Sequence, residues 1–372
     1  MKKCIVMPDS FKGTLSAVEY CDIAKQKIME RFPACNVIAL PVADGGEGTV
    51  DSFLYGMDSK KIEVKVHNSY MEEIDVYYAR IANVAIIEMA QASGLPQIEG
   101  RENPAKTTTF GVGEMMLHAI HDGCNEIILG LGGSATNDAG CGAAVAMGAK
   151  FYDDKGNEFI PVGDSLNKIV EMNFDELKNN MKNCKLTAMC DIDNPMHGEN
   201  GAAYVFAKQK GADDNLISLL NDNLIYIGNK MEESTKRKIV NLSGTGAAGG
   251  FGAGVIAFFD GNLQSGIETV LDLFQFEKLC KDADFIFTGE GRIDSQSLRG
   301  KVVIGIAKRA KKMHVPVIAI VGSIGEGATG AYDLGVTSIF SINRKAEDFS
   351  ISRNHTKENL ADTLESVLRI LT

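Results

Sequence analysis

Four features are missing from this chain, and each absence narrows what it can be. No apolar stretch approaches the ~18 residues needed to span a bilayer, and Met1-Lys2-Lys3 runs straight into the strand-like CIVMPD rather than into the apolar core of a secretory leader. An excess of basic charge is missing as well: the formal net charge is -11, which argues against nucleic acids and anionic membrane surfaces as partners. No C-x-x-C and no H-x3–5-H pair is present. The eight cysteines are scattered singly, most of them in apolar stretches, and are expected to be reduced core thiols. Finally, no Walker A loop occurs: that motif needs G-x-x-x-x-G-K-[ST], and here Gly300-Lys301 is followed by Val302.

What is there is an ordinary globular composition. The 372 residues are 45% hydrophobic and 23% charged, enough for roughly two domains, and a cytoplasmic protein is expected. KKCIVMPD reads as a buried strand that runs into a polar loop and then a helix from about Ser16 to Arg31. NVIALPVADGGEGTV repeats the plan, with a helix starting near Glu47, and ADFIFTGEGRIDSQSLRGKVVIGIAKRAK does so a third time. PVIAIVG and TSIFSIN add two apolar strands. In the middle, KIEVKVHNS, IDVYYARI and VAIIEMA lie too close together for crossover helices and read as antiparallel strands. A helix over 107–123, a strand in EIILGL, a small-residue helix over 139–150, a strand in KLTAMCDI and a helix over about 215–238 follow. Strands alternating with helices predict an α/β protein with a doubly wound parallel sheet. The expected organisation is a Rossmann-like domain built from residues 1–69 and 276–372, interrupted by an inserted mixed-sheet α/β domain over 70–275, with the active site in the cleft between them.

Three loops after strand-like segments combine glycine with acids and hydroxyls: PDSFKGT, VADGGEGT and TGEGRIDSQSLRGK. In open α/β sheets ligands bind beyond the carboxyl ends of strands, so these loops point to a ligand site. A fourth, LGLGGSATNDAGCGAA (129–144), lies between a strand and a helix. Its N–H groups and the hydroxyls of Ser134 and Thr136 are expected to hold an anion at the helix N-terminus. Since no lysine follows, compensating charge is expected from Lys12, Arg292 or Lys301, or from Mg2+. Asp44, Glu47, Asp191, Glu290 and Asp294 are the acids able to hold Mg2+ or accept a proton, the arrangement of phosphoryl transfer. His197, alone, reads as structural or solvent-facing. The stretch Gly244-Thr-Gly246-Ala-Ala-Gly249 matches a dinucleotide fingerprint, but the strand before it is weak and glycine-rich packing explains it better.

Taken in order and spacing, MPDSFKGTLSA, PVADGGEGT, LGGSATNDAG, CDIDNP and TGEGRIDSQSLRGK resemble the bacterial glycerate kinases of type 1, over essentially the whole chain. The resemblance implies ATP-dependent phosphorylation of D-glycerate at the 2-hydroxyl, giving 2-phosphoglycerate and ADP, with ATP and Mg2+ as cofactors. Carried onto this chain, it implies that Lys12 and Arg292 bind the glycerate carboxylate or the transferring phosphoryl group, and that Asp191 activates the attacking hydroxyl. Ser10, Asp44, Glu290 and Asp294 would contact substrate. Gly132, Gly133, Ser134, Thr136 and Asn137 would cradle the ATP phosphates, with Asp44, Asp191 and Glu290 as Mg2+ candidates. Two alternatives stand beside this reading: an NAD(P)-dependent oxidoreductase on a small hydroxy acid, using GTGAAG, and a non-catalytic metabolite-binding regulator.

Overall fold

A computed structural model describes residues 1–43 and 45–371, except for the side chain of residue 299. The chain divides into two compact units, one made of Met1–Asp44, Asp51–Met57 and Ile267–Thr372, the other of Gly45–Val50 and Asp58–Gly266.

The first unit is an all-parallel five-stranded sheet in the order Val336–Ser341, Val317–Val321, Phe285–Gly289, Lys3–Pro8, Asn36–Ala39. Numbered along the chain, the strands of this unit run 2-1-3-4-5, the doubly wound order whose topological switch point falls between the first and third strands. Those two strands, Lys3–Pro8 and Phe285–Gly289, are apolar and almost wholly buried, as parallel strands covered on both faces must be. The helix Ala17–Arg31 starts at a capping box, in which the Ser16 side chain accepts from Glu19 N–H and the Glu19 carboxylate accepts from Ser16 N–H. Tyr20, Cys21, Ala24 and Ile28 from this helix pack with Leu360, Leu364 and Leu368 of the C-terminal helix against Val6 and Phe287.

The second unit holds a six-stranded mixed sheet in the order Asn262–Gln264, Lys185–Met189, Glu126–Gly130, Val84–Glu88, Glu73–Ile81, Lys60–His67. The last three strands are antiparallel, as their close spacing requires, and the first four are parallel. The observed boundaries differ from the expected ones at both ends of this unit. Lys60–His67 pairs along its whole length with Glu73–Ile81, so this strand belongs to the second unit, not to 1–69. The helix Gly266–Leu273 lies, from Ile267 onward, in the first unit, not in 70–275. All eight cysteines are free thiols, and burial pushes Cys4, Cys21 and Cys141 upward from the ordinary thiol range. Among the described residues no helix is long and apolar enough to cross a membrane.

Candidate active site

Beyond the carboxyl ends of the parallel strands of the first unit, at the switch point, lies a cavity of about 480 Å³. Asp9 and Ser10 reach it from the end of the 3–8 strand, Glu290 and Arg292 from the end of the 285–289 strand, and Lys12 from a tight turn between Phe11 and Leu15. That turn passes through Gly13 at φ +76, a conformation that costs a side-chain-bearing residue about 1–2 kcal/mol. Lys301, Asn343 and Arg353 complete the polar wall, and Phe11, Ile342 and Phe349 line the apolar part. Four cations, Lys12, Arg292, Lys301 and Arg353, therefore surround two carboxylates. A space of this charge suits a small organic acid or a phosphoryl group.

Glu290 stands out within the cavity. It is 5% exposed, and its Oε1 has no hydrogen-bond partner among the described residues. Burial, with the nearby charges of Asp9 and Asp294, pushes its carboxyl up to about 7, against the opposing pull of the Ser297 hydroxyl and the Lys301 ammonium. Its backbone carbonyl accepts from Gly322 N–H at 3.1 Å, which ties its position to the neighbouring strand. A buried carboxyl with an open oxygen and a value near neutrality can take up and release a proton at physiological pH. Asp294 is not part of the cavity wall: its Oδ2 lies 3.1 Å from Arg292 Nε and its Oδ1 accepts from Gln296 N–H at 2.9 Å. It fixes Arg292 rather than lining the cavity itself.

Asp191 belongs to the second unit, where it is exposed and follows the 185–189 strand. Its Oδ1 accepts from Ser265 Oγ and from Gly266 N–H, both at 2.9 Å. Asp44 lies outside the described residues. Among the described residues, no group of three or more His, Cys, Asp or Glu gathers as a metal cage.

The glycine-rich loop differs from expectation in a way that its chemistry explains. The helix after it is only Cys141–Ala146, not 139–150, because Lys150–Tyr152 is a strand. Its N-terminal donors are already occupied by an anion of the loop itself. The fully buried Asp138 carboxylate accepts from Gly140 N–H at 3.1 Å, Gly142 N–H at 3.2 Å, Thr109 N–H at 2.8 Å and Thr109 Oγ1 at 2.8 Å. Only Gly132 and Gly133 keep appreciable exposure, while Ser134, Thr136 and Asn137 are buried. The cation beside this loop is Lys210, whose Nζ donates to Ser134 Oγ and to the Thr136 carbonyl, both at 2.8 Å. Lys12 and Arg292, also expected to supply that charge, line the cavity of the first unit.

The GTGAAG stretch is packing, as its weak context suggests. Ala248, Gly249 and Gly250 are all left-handed, and a Cβ on Gly249 would lie 2.1 Å from the Thr136 carbonyl oxygen. Gly249 O in turn accepts from Ala139 N–H at 3.1 Å. These glycines let one backbone lie directly on another.

Sequence reasoning reached Ser10, Lys12, Glu290, Arg292 and Lys301, which the fold brings to one cavity. It missed Asp9, although the acid at a strand end was visible, and it missed Arg353 and Lys210, for which no local pattern exists.

The chain matches the Glycerate kinase family over residues 4–372. A glycerate kinase of Bacillus cereus is 39% identical over 371 residues, 99% of this chain and 97% of that protein. A glycerate 2-kinase of Escherichia coli (strain K12) is 39% identical, over 91% of this chain and 90% of its own length. A solved structure assigned as a glycerate kinase 2 from Salmonella typhimurium LT2 superposes with a TM-score of 0.88 at 36% identity, covering 100% of this chain and 98% of that one. With both units and every glycine-acid loop inside the matched span, the chain belongs to the glycerate kinase family.

Proposed function

We propose that this protein transfers the γ-phosphoryl group of ATP to the 2-hydroxyl of D-glycerate, giving 2-phosphoglycerate and ADP. The observation that carries the reading is the buried, half-partnered carboxyl of Glu290 in a cavity walled by four cations. Family membership narrows the substrate to glycerate, and the 2-position rests on the name of the Escherichia coli relative alone.

In this reading Arg292 and Arg353 bind the substrate carboxylate and Lys12 the transferring phosphoryl group, with Ser10 as a hydroxyl contact. Glu290 accepts the proton of the attacking hydroxyl, a role that the sequence resemblance gave to Asp191. Two observations favour Glu290: its Oε1 is open, and burial pushes its carboxyl up to about 7, near the operating pH that a general base needs. Asp191, with Oδ1 engaged by Ser265 and Gly266, is the second candidate. Gly132, Gly133, Ser134, Thr136 and Asn137 contribute to binding the phosphates of ATP. Mg2+, when bound with the nucleotide, neutralises phosphate oxygens; it takes only one or two protein carboxylates for that purpose, and Asp9 in the cavity wall fits such a contact. Asp44 and Asp191 remain the other candidates.

The test is ADP release coupled to a chromogenic readout, with D-glycerate, L-glycerate and tartronate as acceptors, and phosphorus NMR of the product. D-glycerate should support turnover and the product should carry phosphorus at the 2-position. ADP release with none of the three acids would overturn the assignment, and a 3-phosphorylated product would overturn its regiochemistry.

A further inference from the structure

Lys210 is a charged side chain buried to 2% exposure, and no step above uses it. An isolated ammonium in such a place is costly unless its hydrogen bonds are filled. It sits in the short turn Lys208–Lys210, which ends at Gly211 with φ +93, and a Cβ on Gly211 would lie 2.4 Å from the Glu102 carbonyl oxygen. The local backbone is thus built to deliver this side chain inward. Burial pushes its ammonium down to about 7, and the Asp138 carboxylate acts against that fall.

The hydrogen bonding of Lys210 fixes what its partners can do. An ammonium only donates, so Ser134 Oγ must accept from it, and the hydroxyl proton of Ser134 is left to point elsewhere. The Thr136 carbonyl accepts the second bond. The loop is pinned from other sides as well, since Gly133 O accepts from Leu95 N–H at 3.0 Å, Ala135 N–H donates to Ser93 O at 2.8 Å and Ala135 O accepts from Thr107 Oγ1 at 2.8 Å. Within this rigid frame, Thr136 Oγ1 and both polar atoms of the Asn137 amide are buried with no partner among the described residues. Two of these atoms, the Thr136 hydroxyl and Asn137 Nδ2, are donors, and unfilled donors beside a positive charge suit an anionic oxygen, while Asn137 Oδ1 can only accept.

We propose that Lys210 is the positioning lysine of the 132–137 loop: by holding Ser134 Oγ as an acceptor it aims the Ser134 proton at a phosphate oxygen of the nucleotide, and it supplies the positive charge that the loop lacks in sequence. The inference rests on the reading of the protein as an ATP-dependent kinase. A phosphate-binding lysine ordinarily follows its loop within one helix turn; here it comes from 76 residues further along the chain.

The experiment compares Lys210→Met, Lys210→Arg and Ser134→Ala with the wild type in steady-state kinetics, with melting temperature as a control for folding. Lys210→Met is expected to raise KM for ATP by about tenfold, the scale of one charge-assisted hydrogen bond, with KM for D-glycerate changed by less than about twofold. Lys210→Arg should recover part of the loss. An unchanged KM for ATP alongside a lower melting temperature would make Lys210 a structural strut and overturn the proposal. Should Lys210→Met not fold, Ser134→Ala decides the matter: it must raise KM for ATP selectively, and an equal rise for both substrates, or none, counts against the idea. Titration calorimetry with ADP separates this proposal from the kinase assignment. ADP binding that weakens selectively in the variants supports the Lys210 role even without turnover on glycerate, and ADP binding equal in wild type and variants removes it.

Discussion

Replacing Glu290 by glutamine should make this protein more stable and much less active, and both differences should widen as the pH rises. The folded-state carboxyl lies at about 7, against an ordinary 4.5, so the folded protein holds a proton that the unfolded chain gives up. That difference stabilises the fold fully below about pH 4.5 and is lost as the pH rises through about 7, an amount of about 3 kcal/mol across the window. The glutamine of Glu290→Gln would be neutral throughout and keeps the shape of the protonated acid. Near pH 4.5 the melting temperatures of the two proteins should agree closely, and by pH 8 the variant should melt several degrees higher, since 1 kcal/mol is worth about 2–4 °C in a unit of this size. In activity the order reverses: wild-type kcat/KM should fall as the pH drops below about 7, while the variant should lose about 10²–10⁴ in turnover and keep a flat residual profile. Differential scanning fluorimetry from pH 4.5 to 8.5 and ADP-release kinetics over the same range read both. A melting difference that does not grow with pH would refute the neutral buried acid. Turnover within about threefold of wild type would refute the proton acceptor, and Asp191→Asn would then be the variant expected to abolish turnover.

Three further outcomes follow from the same geometry. Arg292→Met and Arg353→Met, which remove cations from the cavity wall, should each raise KM for D-glycerate by about three- to tenfold with KM for ATP little changed; equal effects on both substrates would contradict the assignment of the cavity. Asp138→Ala strips the acceptor from Thr109, Gly140 and Gly142 and should cost about 3 kcal/mol or more, read as a lower urea midpoint in the unfolding of the second unit; an unchanged midpoint would mean that these donors find other partners. Gly249→Ala should destabilise the protein by about 1–3 kcal/mol, because its Cβ would fall 2.1 Å from the Thr136 carbonyl oxygen in a backbone at φ +67, and a melting temperature equal to wild type would show that the two segments separate easily.

The sequence alone determined the strands and most helices, because buried parallel strands such as CIVMP and VIAIV are continuous apolar runs bounded by turn residues. It also determined the family, since five motifs in fixed order constrain one another, and it located the cavity residues that follow the 3–8 and 285–289 strands, because strand ends are where a doubly wound sheet presents its loops. Only the tertiary structure decided which charges act together. Asp138 takes the donors at the 141–146 helix that the loop pattern offers to a ligand, and no local pattern distinguishes an internal carboxylate from an external one. Lys210 meets Ser134 from 76 residues away, and Arg353 reaches the cavity from the opposite end of the chain to Lys12. Glu290 owes its near-neutral value to burial among neighbours contributed by separate segments of the chain. A glycine-rich loop without a lysine therefore looked incomplete in sequence, because the spacing of residues along a chain carries local geometry, whereas electrostatics and desolvation depend on distances that only folding creates.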